Sequence, residues 1–186
     1  LFVSKENSKI VIDNEISKMI NQLIHRGPDN IGIWSDKENS NVALANSRLA
    51  IQDLSILGNQ PLISPSKRYV LVFNGEIYNH KELRKKIFQE KKFSQWKSNS
   101  DTETLVTLLD FYPIEFVLNH IQGMFAFAFF DKKEKLLYLA RDKVGEKPLY
   151  YVSENKNFFF ASELKSILAT KIFTKKINML ALHEYF

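Results

Sequence analysis

The chain has 186 residues, 45% hydrophobic and 25% charged, the balance of an ordinary globular domain and not of a disordered, collagen-like or disulfide-stapled chain. Basic residues outnumber acidic ones 26 to 21, a net charge of +5 that solubility alone accounts for. The absence of cysteine excludes disulfides, cysteine-bound zinc and a cysteine nucleophile within these residues, and the longest apolar run, 124–130, falls far short of the roughly 18 residues of a membrane span.

Leu1-Phe2-Val3 reads as a strand already under way, with no basic n-region or cleavage site before it, so the natural start is expected to lie upstream. Asp13 can cap a helix whose apolar residues Ile16, Met19, Ile20, Leu23 and Ile24 share one stripe, and Gly27-Pro28 stops it. Short strands are predicted at 31–34 and 42–45. A turn-rich stretch over 53–67 contains Gly58, Pro61 and Pro65. Strand 69–73 runs into Asn74-Gly75, a pair that is also a strong short-range hairpin signal. Asn79 and Glu82 predict the cap of a basic helix over 80–90. Ser100 and Glu103 have capping-box spacing ahead of a helix over 102–112 that Pro113 ends, and a second helix is predicted over 115–121.

The segment GMFAFAFFD, 123–131, puts Phe125, Phe127 and Phe129 on one face and Ala126, Ala128 and Phe130 on the other. Both faces are apolar, as in a strand buried between layers. Strand 136–140 follows, then a hairpin of 150–152 with 158–161, and Ser162 is expected to cap a short helix over 163–168. Strands dominate and helices come in runs, so the fold class is α+β. After Ala169 the chain turns basic and irregular over 171–176, and 178–186 opens a helix without a C-cap. The expected organisation is a domain over 1–170 and a linker with the start of a further domain over 171–186.

Six glycines at 27, 32, 58, 75, 123 and 145 include no G-x-G, which excludes a dinucleotide fingerprint. Four dispersed histidines give no local metal motif, and no metal is expected. The basic helix could be a nucleic-acid face, but Leu83 and Ile87 lie one turn apart and Glu82 and Glu90 interrupt the charge, which favours a solvated amphipathic helix. Four polar segments sit between buried elements: Ser47-Arg48-Leu49, Asn74-Gly75-Glu76, Ser100-Asp101 and Arg141-Asp142-Lys143. Each has a plain structural reading as a turn, a cap or a local ion pair. As a set they suit a free α-amino acid. Arginine grips a carboxylate with a two-pronged fork, aspartate pairs with an ammonium, and an asparagine amide beside a glycine N–H offers two donors to a developing oxyanion.

The stretches HRGPDN (25–30), SRLAIQDLS (47–55), GNQPL (58–62), FNGEIYNHKELR (73–84), SDTETL (100–105), ARDKVGEKPLYY (140–151) and FASELKSIL (160–168), with 123–131, follow one another in a familiar order. The chain resembles the glutaminase domain of class II, N-terminal nucleophile amidotransferases of the glutamine-hydrolysing asparagine synthetase type. The resemblance implies a four-layer αββα sandwich of two antiparallel sheets. It implies that Arg48 holds the α-carboxylate of L-glutamine beside main chain of Leu49, Ile51 and Gln52. It further implies that Asn74 and Gly75 form the oxyanion hole and that Glu76 and Asp101 bind the α-amino end.

The family's nucleophile is an N-terminal cysteine in Cys-Gly-Ile-x-Gly, whose own amine accepts the proton. These residues do not contain it, so the fragment by itself is expected to be inactive. The parent is expected to be a cytoplasmic ligase that hydrolyses glutamine to glutamate and ammonia and amidates aspartate. ATP and magnesium would act in a C-terminal synthetase domain outside this chain, and this domain would need no cofactor. Expected partners are L-glutamine and that synthetase domain, with a homodimer open and neither nucleic acid nor membrane involved. The alternatives are a nucleophile-less pseudo-glutaminase that only binds, and a related amidotransferase acting on a sugar or an antibiotic precursor.

Overall fold

Two antiparallel sheets face each other, and apolar rows of period two on each supply the layer between them. The computed structural model describes residues 2–3, 9–36, 42–51, 53–154, 157–173 and 177–186. In chain order the elements are β1 (Phe2–Val3), α1 (Lys9–Asn21), β2 (Asn30–Ser35), β3 (Val42–Arg48), β4 (Leu62–Ile63) and β5 (Tyr69–Ile77). Then come α2 (His80–Lys91), α3 (Asp101–Phe111), α4 (Ile114–His120), β6 (Gly123–Asp131) and β7 (Leu136–Arg141). The last are β8 (Tyr150–Glu154), β9 (Asn157–Ala161), α5 (Leu164–Leu168) and α6 (Met179–Tyr185).

One sheet has the order β2-β3-β1-β9-β8 and the other β4-β5-β6-β7. Val42, Leu44, Val70, Val72, Ala128 and Phe130 fill the space between them. Ile12, Ile16 and Met19 of α1 and Ile167 of α5 cover the outer face of the first sheet through Ala43, Phe159 and Ala161. The outer face of the second sheet packs Phe73, Phe125, Phe127 and Phe129 against Leu83 and Ile87 of α2 and Leu105 and Leu108 of α3. Helix, sheet, sheet and helix are thus stacked as the αββα arrangement requires. The two faces of 123–131 divide between layers as their alternation predicts, and α2 buries Leu83 and Ile87 beneath an otherwise solvated surface.

Several local expectations change. Helix α1 begins at Lys9, not at Asp13, because buried Ile12 extends the apolar stripe one turn upstream of Ile16. It ends at Asn21, and Ile24 falls in a tight 3₁₀ turn and is exposed. Asn79 makes no cap; its side chain instead donates to the His120 carbonyl at 2.9 Å and accepts from the Gln122 N–H at 3.0 Å, tying the start of α2 to the end of α4. Ser162 does not cap α5, whose N-cap position is Glu163. Ser100 does cap α3, accepting from the Glu103 N–H at 3.2 Å, but the Glu103 carboxylate turns to the Lys97 and Ser98 N–H groups instead of completing the box.

The Asn74-Gly75 hairpin is absent. Strand β5 continues through both residues to Ile77, paired throughout with β6, with Gly75 opposite Phe125. A Cβ on Gly75 would fall on the Met124 carbonyl oxygen and lie 2.7 Å from Phe125 Cα. The glycine serves close strand packing, not a turn.

Candidate functional site

Both interior rows change from apolar to polar at the same end of the sandwich. On β3 the row Val42, Leu44 continues as Asn46 and Arg48; on β5 the row Val70, Val72 continues as Asn74 and Glu76. Where they do so, the sheets part into an open cleft of about 350 Å³. Arg48, Leu49, Ile51, Asn74, Gly75, Glu76 and Asp101 all line it, drawn from three separate regions of the chain. Leu49 and Ile51 sit at its rim, 55% and 76% exposed. Gln52 lies outside the described residues.

Arg48 is positioned from behind. Its Nη1 donates to the Ser55 carbonyl at 2.8 Å and to Asn59 Oδ1 at 2.7 Å, and its Nη2 donates to the Asp53 carbonyl. Gly58 packs flat against the guanidinium, since a Cβ there would lie 3.0 Å from Arg48 Cζ. Three of the five N–H donors are therefore spent on placement, and two have no acceptor among the described residues. Two N–H groups on one guanidinium are what a carboxylate needs for a bidentate grip.

The loop that holds Arg48 is itself fastened to the opposite wall. Asp53 accepts from the Ser55 N–H at 2.8 Å and from the Asn99 N–H at 3.1 Å, and the Ser55 hydrogen bonds keep its carboxyl below the usual range. Asn99 immediately precedes the cap of α3, whose first residue is Asp101. Asp101 is 5% exposed and accepts from the Ile77 N–H at 2.8 Å. Burial raises its pKa despite that bond, and the nearby charge of Glu76 pushes in the same direction. Glu76 and Asp101 thus lie on one wall of the cleft and give it a negative character.

Asn74 holds the third part of the site. Its Nδ2 is buried and has no hydrogen-bond partner among the described residues. The backbone just before it is fixed by Gln60, whose Oε1 accepts from the Phe73 N–H at 2.6 Å while its Nε2 donates to the Phe73 carbonyl at 3.1 Å. Strand β4 pairs Leu62 with Leu71, so the Gln60 carboxamide extends that ladder by one rung up to the residue preceding Asn74.

The fourth polar segment does not join the cleft and is not an ion pair. Arg141 donates to the Lys147 and Gly145 carbonyls, each at 2.6 Å, and Asp142 accepts from the Glu146 N–H at 2.8 Å and the Lys147 N–H at 3.0 Å. Burial opposes the charge on Asp142, but the N–H groups of Lys147, Glu146, Phe125 and Gly145 outweigh it and hold its pKa at about 2. The result is an anchored loop that brings Lys147 to the cleft. Sequence reasoning missed Lys147, Asn46, Asn59 and Gln60. Asn46 was findable, since it lies on the strand face of Leu44 and Arg48 by period two. Asn59 and Gln60 sit in a turn-rich stretch with no periodicity to mark them.

Arg48 on one sheet, Asn74 and Glu76 on the other, and Asp101 at the start of α3 thus meet in one cleft. A family model described as "Glutamine amidotransferase domain" matches residues 2–186, and the chain belongs to that family. It is 39% identical over 96% of its length to a putative glutamine-hydrolysing asparagine synthetase 2 of Methanocaldococcus jannaschii, covering 37% of that protein. It is 41% identical over 84% of its length to the glutamine-hydrolysing asparagine synthetase 1 of Bacillus subtilis, covering 24% of it. The chain therefore spans between a quarter and two-fifths of these relatives. The solved glutamine PRPP amidotransferase of B. subtilis superposes with a TM-score of 0.69 at 22% identity, over 84% of this chain and 41% of that one, and so shares the fold. Among the described residues no helix is long and apolar enough to cross a membrane, and no group of three His, Asp or Glu side chains is placed to hold a metal ion.

Proposed function

We propose that the cleft binds L-glutamine and that this chain is the glutaminase domain of a glutamine-hydrolysing asparagine synthetase. The observation that carries the reading is Arg48, which keeps two N–H donors for an anion in the cleft that Asp101 and Glu76 line for a cation. The α-carboxylate of glutamine goes to Arg48 and its ammonium to Asp101 and Glu76. Its carboxamide oxygen then meets the Asn74 amide and the Gly75 N–H, which stabilise the oxyanion as the amide carbon becomes tetrahedral. Leu49 and Ile51 contribute main chain at the rim.

The thiol is to come from residues preceding Leu1. Strand β1 lies between β3 and β9, with Phe2 opposite Ala43 and Phe159. Residues preceding Leu1, in the same register, would run opposite Ala45 and Asn46, towards the cleft. A cysteine there attacks the amide carbon, its amine takes the thiol proton and passes it to the leaving nitrogen, and the C–N bond breaks to release ammonia, leaving a glutamyl thioester for water to cleave. Amidation of aspartate, with ATP and magnesium, falls to a synthetase domain outside this chain, and 171–186 lead towards it.

The test is a chain carrying Cys-Gly-Ile-x-Gly ahead of Leu1 with its cysteine amine free. It should release ammonia from glutamine, its Cys→Ala form should not, and Asn74→Ala in the active form should lower turnover by about 10²–10³. A folded, cysteine-bearing chain that binds glutamine but releases no ammonia would instead assign the domain to binding alone.

A further inference from the structure

Asn46 is a polar residue in the layer between the sheets to which nothing so far gives a role. It continues the buried row of Val42 and Leu44, and its Nδ2 approaches the Phe73 carbonyl at 3.5 Å, directly before Asn74. A carbonyl oxygen admits only the NH₂ end of an amide, so the orientation of Asn46 is set and its Oδ1 turns away from Phe73. That Oδ1 is buried and has no hydrogen-bond partner among the described residues. Asn74 Nδ2 is buried and unpartnered as well. Both residues line the inner end of the cleft, where it runs into a cavity of about 70 Å³ whose walls include the inter-sheet apolar residues Val72, Ala126, Ala128 and Phe160.

One orphaned acceptor and one orphaned donor at the end of an apolar-walled recess are unusual, because each buried polar group left unpaired costs stability. Their polarities are complementary to a primary carboxamide, which has one carbonyl oxygen and one NH₂. A carboxylate does not fit, since it has two acceptors and would press an anionic oxygen against Asn46 Oδ1.

We infer that Asn46 is the residue by which this cleft distinguishes glutamine from glutamate: its Oδ1 accepts a hydrogen bond from the substrate's carboxamide NH₂ while Asn74 Nδ2 donates to the carboxamide oxygen. This rests on the glutamine reading and adds to it a specificity determinant. The contact also favours release of glutamate, because hydrolysis replaces the NH₂ that Asn46 holds with an oxygen that it repels.

The test is calorimetry of the 186-residue chain with L-glutamine and with L-glutamate. The chain should bind glutamine about ten- to a hundredfold more tightly, the range of a hydrogen bond gained on one side and a charged repulsion on the other. In Asn46→Leu the glutamine affinity should drop and the glutamate affinity hold or rise, bringing the two within about threefold. Retained glutamate binding shows that this variant is folded with Arg48 in place. Asn46→Asp keeps an acceptor for the NH₂ and strengthens the repulsion of a carboxylate, so its preference should widen. An undiminished preference in Asn46→Leu overturns the inference. If Asn46→Leu binds neither ligand, Asn46→Asp decides, and a preference no wider than that of the parent chain overturns it. Failure of the glutamine reading looks different: the parent chain binds neither amino acid, or Arg48→Ala leaves glutamine binding intact, and the inference then falls with it.

Discussion

Replacing Gln60 tests how the site is held. Gln60 is 9% exposed, and its carboxamide makes two hydrogen bonds to one backbone unit, accepting from the Phe73 N–H and donating to the Phe73 carbonyl. In Gln60→Ala the carbonyl keeps a long contact from Asn46 at 3.5 Å, but the N–H keeps nothing among the described residues. Two net hydrogen bonds at about 1 kcal/mol each, plus about 1–2 kcal/mol for a buried donor left unpaired, predict a loss of about 3–4 kcal/mol. That is a large share of the roughly 5–15 kcal/mol of a domain this size. Urea denaturation followed by circular dichroism measures it, with an unchanged slope as the check on two-state behaviour. Gln60→Met, of similar length but without the amide, should lose nearly as much, because packing is not the main term. Glutamine affinity should fall in both, since Asn74 follows Phe73 directly. A loss under about 0.5 kcal/mol, or full recovery by methionine, would show that the Gln60 carboxamide does not fix the strand before Asn74.

Three further outcomes are expected. Gly75→Ala should destabilise by about 1–3 kcal/mol or more, as for other overpacked sites, because the new methyl meets the backbone of Met124 and Phe125; thermal melts will show it. Acid should weaken the fold over a defined window. Asp142 and Glu163, the latter paired first with Lys165 and then with Arg26 and His25, both titrate at about 2 when folded, against ordinary values of 3.8 and 4.5. The stability they contribute is complete above those ordinary values and is lost as pH falls towards 2, so Asp142→Asn should flatten the lower part of a stability-against-pH curve. Asp101 shifts the opposite way, so glutamine binding should weaken on acidification at a higher pH than an ordinary aspartate would give, which calorimetry across pH can follow.

The layered architecture was legible in the sequence because it is written in period. The alternation over 123–131 assigns each face of β6 to its layer, and Leu83 and Ile87 assign α2 to the second sheet. The site was legible in part. Arg48, Asn74, Glu76 and Asp101 stand out as polar residues at the ends of buried elements, and resemblance brought them together before any geometry did. Asn74-Gly75 misled on local grounds: the pair favours a turn in isolation, but nine residues of pairing with β6 outweigh that preference and use the glycine for close approach. Asn79 misled for a related reason, since a long-range tie to α4 replaced the local cap. Gln60 falls within the stretch GNQPL, 58–62, that carries the resemblance, but its role was not legible there. Its role depends on a side chain standing in for a strand, and that leaves no periodic trace.

The central claim is that Arg48, Asp101, Glu76 and Asn74 together receive one glutamine molecule in one orientation. A crystal structure of the chain grown with L-glutamine tests it most directly. The account predicts the α-carboxylate within about 3 Å of two Arg48 nitrogens, the ammonium against Asp101 and Glu76, and the carboxamide oxygen at Asn74 Nδ2. Glutamine bound elsewhere, or in this cleft with its carboxamide against Asp101 and no group on Arg48, would contradict it.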